Sequence, residues 1–184
     1  MQPPVRQFTE PAQAAQCVRA GGVLAYPTEA VFGLGCHWQD EQALRRILAM
    51  KGRPQAQGVI LLVADRHMLA EVADLSGPFV PQWQAQPGIT WLYPPARAVP
   101  DWIRGRHARV AVRIPNWAPA RELAAQTGPL VSTSANRSGN PPARDVQTVL
   151  QIFARELDGI LALPCGQAAG PSPIHDAITG ERLR

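Results

Sequence analysis

Short apolar runs, each stopped by a proline or glycine, alternate along this chain with amphipathic helical segments, and this alternation limits the fold more than any other feature. Residues 23–26 form an apolar run that ends at Pro27, and residues 59–63 form a continuous one, as expected of a strand covered on both faces. Residues 89–93, 110–114, 130–132, 160–163 and 174–177 read as further strands, with Arg109 and Arg113 flanking the second of these. Between them, residues 10–20 read as a helix closed by Gly21-Gly22, and Asp40 caps a helix that ends at Met50, with Leu44, Ile47 and Leu48 on one face and Arg45 and Arg46 on the other. Residues 118–126 form a helix stopped by Gly128-Pro129, and Asp145 caps one running to about Leu157. Residues 66–73 and 79–85 are weaker helical segments, and residues 28–37 read as a loop. Strands interleaved with helices imply an α/β class with a largely buried sheet. No repeat, low-complexity tract or linker breaks the pattern, so a single domain over residues 1–184 is expected.

Composition narrows the setting. At 46% hydrophobic and 17% charged residues, the chain is globular and long enough to bury a core. Three widely spaced cysteines, Cys17, Cys36 and Cys165, argue against a disulfide framework. No basic-then-apolar leader precedes the first helix, and no run approaches the ~20 apolar residues of a membrane span. A cytoplasmic protein with no membrane association is the expectation. The net charge is +4, yet of the basic side chains only Lys51 is lysine; the rest are arginine. Arginine bias follows from genomic base composition, which leaves the surviving lysine to be explained. A compact ammonium and a planar guanidinium are not interchangeable on phosphates.

The familiar fingerprints are missing. There is no G-x-x-x-x-G-K-[ST], Gly33-Leu34-Gly35 lacks a third glycine, and neither a G-x-S-x-G elbow nor a metal-spaced Cys/His set occurs. Three polar segments stand out instead. Pro27-Thr28-Glu29-Ala30-Val31-Phe32-Gly33-Leu34-Gly35 follows a buried strand, where α/β sheets bind ligands. In Lys51-Gly52-Arg53-Pro54 two cations flank a glycine that would let the backbone approach a ligand, although cations at a helix C-terminus are also favoured by its dipole. Ser132-Thr133-Ser134-Ala135-Asn136-Arg137-Ser138-Gly139 gathers hydroxyls and an amide more densely than a simple turn requires.

These segments, with Val110-Ala111-Val112-Arg113-Ile114-Pro115 and Pro171-Ser172-Pro173-Ile174-His175-Asp176-Ala177, resemble in order and spacing the YrdC/TsaC family, from about Gly21 onward, and its short bacterial form in particular. The chain departs from the pattern at Pro87-Gly88-Ile89-Thr90, where the family usually carries Trp-Pro-Gly-Pro-x-Thr. The resemblance implies a twisted mixed sheet flanked by helices around a deep basic groove. It also implies synthesis of threonylcarbamoyl-AMP and pyrophosphate from L-threonine, bicarbonate and ATP, for threonylcarbamoyladenosine modification of tRNA. By motif position, Lys51, Arg53, Ser134, Asn136, Arg144 and Arg184 would contact the nucleotide, with Lys51 and Arg53 catalytic. Thr28, Arg113, Ser134 and Ser172 would contact threonine. Mg2+ would arrive with the nucleotide, held by phosphates and water. Downstream threonylcarbamoyl-transfer machinery would take the product, and tRNA or double-stranded RNA is a further partner to consider. The competing classes are a non-catalytic RNA-binding module, which net charge would suit, and a carbamoyl transferase of the hydrogenase-maturation type, whose C-x-x-C modules are absent here.

Overall fold

The computed structural model describes residues 4–76 and 87–184. Its elements run β1 (Arg6–Phe8), α1 (Pro11–Arg19), β2 (Leu24–Pro27), β3 (Phe32–Gly35), α2 (Glu41–Lys51), a 3-10 turn (Gln55–Gln57), β4 (Ile60–Leu62), α3 (Arg66–Val72), β5 (Thr90–Tyr93), α4 (Asp101–Arg104), β6 (Val110–Arg113), α5 (Ala118–Thr127), β7 (Leu130–Ser134), α6 (Val146–Phe153), β8 (Gly159–Leu161) and β9 (Ile174–Asp176). The weak helix expected over residues 79–85 lies outside the described residues.

All the strands join one sheet in the order β1-β8-β2-β3-β7-β4-β6-β5-β9. The sheet is mixed: β1/β8, β8/β2, β4/β6 and β5/β9 pair in parallel, while β2/β3, β3/β7, β7/β4 and β6/β5 are antiparallel. Strand alternation sends neighbouring residues to opposite faces. Leu24 and Tyr26 pack with Ala14, Ala15 and Val18 of α1 and Ala120, Leu123 and Ala124 of α5. Ala25 joins Leu44 and Ile47 of α2, Leu69 of α3 and Phe153 of α6 on the other side. The capping assignments hold, since Asp40 Oδ1 accepts from Ala43 N at 2.9 Å and Asp145 Oδ1 from Thr148 N at 2.7 Å. Helix α6 ends at Phe153, short of the expected Leu157. No helix among the described residues is long and apolar enough to cross a membrane.

The expected loop over residues 28–37 contains a buried strand, β3, pairing with β2 and β7. Two glycines in four residues hide it, because glycine is a poor strand former. Here the missing side chains are the requirement. A Cβ on Gly33 would stand 3.0 Å from the Tyr26 ring, and one on Gly35 would stand 2.4 Å from the Val131 carbonyl oxygen. The glycines leave room for the buried Tyr26 ring and for close approach of β7.

Candidate active site

On the face where α1 and α5 pack, a cavity of about 630 Å³ opens over β4, β6 and β5. Its floor is set by strand register. Leu92 pairs with Ala111, Ala111 with Ile60, and Ile60 with Ser132, and all four line the cavity. Along β6, Val110 and Val112 go to the core, whereas Ala111 and Arg113, with Arg109 just before the strand, go to the cavity. The walls come from Thr28 and residues 30–33, from Arg53 and residues 57–59, and from the final segment Gly170 to Ser172 with Leu183 and Arg184. Arg53, Arg104, Arg109, Arg113 and Arg184 all contribute, and no Asp or Glu is among the described lining residues.

These arginines are not equivalent. Arg104 pairs with Asp101, Arg109 Nε lies 3.7 Å from Asp176, and Arg113 Nη2 lies 2.7 Å from Glu29 Oε2. Arg53 and Arg184 have no carboxylate partner among the described residues; each is tethered by Nη2 to a backbone oxygen, of Gly58 and of Ser172 respectively, at 2.9 Å. Burial pulls the Arg53 pKa below its ordinary value. The Nε atoms of Arg53 and Arg113 are buried without a hydrogen-bond partner among the described residues, so neither fork is saturated.

Of the residues expected at the site, Thr28, Arg53, Arg113, Ser134, Ser172 and Arg184 line this one cavity. Lys51, Asn136 and Arg144 do not. Arg144 borders a separate depression with Ala30, Asp145 and Cys165. Lys51 ends α2, is 3% exposed, and points its ammonium at the β7 loop. Its Nζ donates to Ser134 O, to Asn136 O at 2.8 Å and to Asn136 Oδ1 at 3.1 Å. Those bonds use all the protons an ammonium has. Burial, and then the neighbouring Arg53 cation, lower the Lys51 pKa to about 8. Gly52 sits at φ 61° in the left-handed region, where it caps α2. Asn136 is equally committed: Oδ1 accepts from Ser134 Oγ at 2.6 Å, and Nδ2 donates to Asn140 O at 2.7 Å.

The departure at Pro87-Thr90 has a structural counterpart. Thr90 is fully buried, and its Oγ1 lies 2.7 Å from Ser172 Oγ, while its N–H donates to Pro173 O at 2.9 Å. Sequence reasoning missed Arg104, His107 and Arg109 as lining groups. For Arg109 a signal existed, since period-two alternation through Arg109, Ala111 and Arg113 places all three on one face.

Residues 16–184 match the sequence model of the Sua5, YciO and YrdC proteins, described as telomere recombination. The chain belongs to the Sua5/YciO/YrdC family. Among its relatives, the threonylcarbamoyl-AMP synthase of Pseudomonas savastanoi pv. phaseolicola is 45% identical over 94% of this chain and 95% of the relative. That of Coxiella burnetii is 41% identical over 93% and 94%. Among solved structures, P. abyssi Sua5 complexed with L-threonine superposes with a TM-score of 0.80 at 29% identity, covering 94% of this chain and 54% of that one. The present chain thus spans about half the length of that Sua5 protein. In this Sua5/YciO/YrdC member the family's polar segments are divided between lining the cavity and bracing its wall.

Proposed function

We propose that this chain is a threonylcarbamoyl-AMP synthase, converting L-threonine, bicarbonate and ATP into threonylcarbamoyl-AMP and pyrophosphate. One observation carries the reading: a cavity lined by arginines with no Asp or Glu side chain among its described lining residues, in which Arg53 and Arg184 are tethered to backbone oxygens and have no carboxylate partner among the described residues. Unneutralised, pre-positioned cations suit a polyphosphate. A silent RNA-binding module would need its cations spread over an exposed face, whereas these converge on one cavity.

Bicarbonate takes a proton and dehydrates to CO2 and water, the threonine amine adds to the CO2 and gives up a proton to form a carbamate, and a carbamate oxygen attacks the α-phosphorus in line with departing pyrophosphate. Phosphorus transfer needs alignment and charge neutralisation more than covalent help. Arg53 and Arg184 hold the phosphates, and Ser134, at the end of β7, turns its hydroxyl to the nucleotide by exchanging its present bond to Asn136 Oδ1. Lys51 acts from behind, fixing the Ser134–Asn136 turn and adding positive potential; direct contact with phosphate would require it to exchange one of its present bonds. Arg113 takes the threonine carboxylate, with Thr28 and Ser172 at the same end. Arg144 lies toward the neighbouring depression and is the most peripheral of the nucleotide contacts. Magnesium enters with ATP as part of the substrate, and Ser132, Thr133 and Ser134 are neutral oxygens able to bind its waters. The product passes to a threonylcarbamoyl-transfer machinery acting on tRNA in the cytoplasm, a setting that the free thiols of Cys17, Cys36 and Cys165 suit.

The direct test is product stoichiometry. Pyrophosphate release should require both threonine and bicarbonate, with one threonylcarbamoyl-AMP formed per pyrophosphate by mass spectrometry. Release independent of either substrate would overturn the reading. A second expectation concerns Thr90→Val, which keeps the shape but removes the hydroxyl paired with Ser172. It should raise the threonine KM about 5-fold, the worth of one hydrogen bond of ~1 kcal/mol, with the ATP KM unchanged in the same assay.

A further inference from the structure

We propose that Glu29 is a positioning residue that sets substrate selectivity: it holds Arg113 at the amino-acid end of the cavity and keeps it off the nucleotide phosphates. The inference rests on the reading of Arg113 as the contact for the threonine carboxylate.

Glu29 lies in the turn between β2 and β3; its Oε1 accepts a hydrogen bond, and its Oε2 is held by an ion pair whose alignment falls short of a hydrogen bond. Oε2 lies 2.7 Å from Arg113 Nη2, and Oε1 accepts from the backbone N–H of Asn116 at 2.6 Å. Asn116 follows β6, the strand that ends at Arg113. A single carboxylate therefore ties the guanidinium to the main chain beyond its own strand, fixing both ends of a long side chain. The Glu29 backbone is anchored too, since its carbonyl accepts from Ala168 N at 2.9 Å. Both side chains of the ion pair are 14% exposed. Arg113 lines the cavity and Glu29 does not, so the carboxylate grips from behind and leaves the rest of the fork facing the ligand.

Charge explains why this matters. A triphosphate carries several negative charges and a threonine carboxylate only one, so a free arginine in a shared cavity would be drawn to the phosphates. Pairing with Glu29 lowers that pull and fixes a direction. Arg53 and Arg184, which have no such partner among the described residues, remain for the polyphosphate. The lining arginines thereby fall into three paired with carboxylates, Arg104, Arg109 and Arg113, of which Arg113 has the most buried partner, and two open ones, Arg53 and Arg184.

The test varies threonine and ATP independently in the pyrophosphate-release assay on the full chain. Glu29→Gln is nearly isosteric and still accepts from Asn116 N–H, but loses the charge. It should raise the threonine KM about 10-fold and leave the ATP KM unchanged or lowered. In an Arg113→Ala background the same substitution should add less than about 2-fold, because its effect passes through Arg113. A merely structural Glu29 would raise both KM values alike, or act equally in both backgrounds, and either result overturns the proposal, as does an unchanged threonine KM in Glu29→Gln. Should Glu29→Gln not purify folded, Glu29→Asp keeps the charge but shortens the reach, and should show the same pattern at about 3-fold. If Arg113→Ala alone leaves the threonine KM untouched, the underlying assignment of Arg113 fails first and the role of Glu29 falls with it.

Discussion

Replacing Lys51 by methionine is expected to lower kcat/KM for ATP by at least about 100-fold, measured as pyrophosphate release. Methionine fills much of the same volume but removes the ammonium that ties Ser134 O, Asn136 O and Asn136 Oδ1 together. Ser134 O still accepts from Asn136 N, and Asn136 Oδ1 from Ser134 Oγ, so Asn136 O is the acceptor left without a donor among the described residues. That loss costs on the order of 1–3 kcal/mol, and the Ser134–Asn136 turn should relax. Other bonds still hold the wall: Ser138 N donates to Lys51 O at 2.8 Å, and Arg137 Nη1 to Met50 O at 2.6 Å. The domain should therefore stay folded by circular dichroism with a lowered Tm. Lys51→Arg should fail almost as badly, because a planar fork cannot converge three donors on one turn. Near-normal turnover by either variant would remove Lys51 from the mechanism.

The same residue gives a pH signature. The Lys51 pKa is lowered to about 8 by burial and Arg53, from an ordinary value of 10.5. Below about pH 8 the ammonium is present, and activity that depends on its charge should be full; activity should fall as pH rises through about 8. Stability moves the other way. Between about 8 and 10.5 the unfolded chain holds a proton that the folded chain has released, so this group's contribution to stability rises with pH across that window. An alkaline loss of turnover without a matching loss of Tm separates titration of Lys51 from general denaturation.

Arg113→Ala is expected to raise the threonine KM about 30-fold while leaving the ATP KM within about 2-fold. A charge-assisted bidentate contact is worth roughly 1.5–3 kcal/mol, and alanine removes all of it. The variant also leaves the largely covered Glu29 carboxylate with Asn116 N–H as its one donor among the described residues, so a lower Tm should accompany the kinetic change. Titrating threonine at saturating ATP, then ATP at saturating threonine, separates the two KM values. An unchanged threonine dependence would reassign Arg113.

Burial is the signal for most of the strands that sequence alone located: residues 59–63 and 110–114 read correctly because continuous or alternating apolar side chains mark a covered strand. Strand β3 was illegible for the opposite reason. Its glycines answer to Tyr26 and to β7, partners distant in sequence that composition does not show. Strand β1 offers only Arg-Gln-Phe, and its pairing with β8 comes from tertiary context. At the site, residue type was legible but direction was not. Lys51 and Arg53 are two residues apart, yet the α2 cap sends one into the β7 turn and the other to the cavity. Thr90 sits in a segment that departs from the family pattern in its tryptophan and second proline, and nothing in the sequence marks it as the buried partner of Ser172.

The transverse row Leu92, Ala111, Ile60 and Ser132 has a consequence for how such a site can diversify. Each residue occupies its place because two neighbouring strands fix its rung, and a one-residue slip in any strand exchanges cavity for core along its whole length. Insertions in the connecting loops can remodel the rim freely, but the floor can change only by substitution in place. Across a lineage, the pocket's base should keep its spacing for as long as the sheet keeps its ladder, while its walls lengthen and shorten around it.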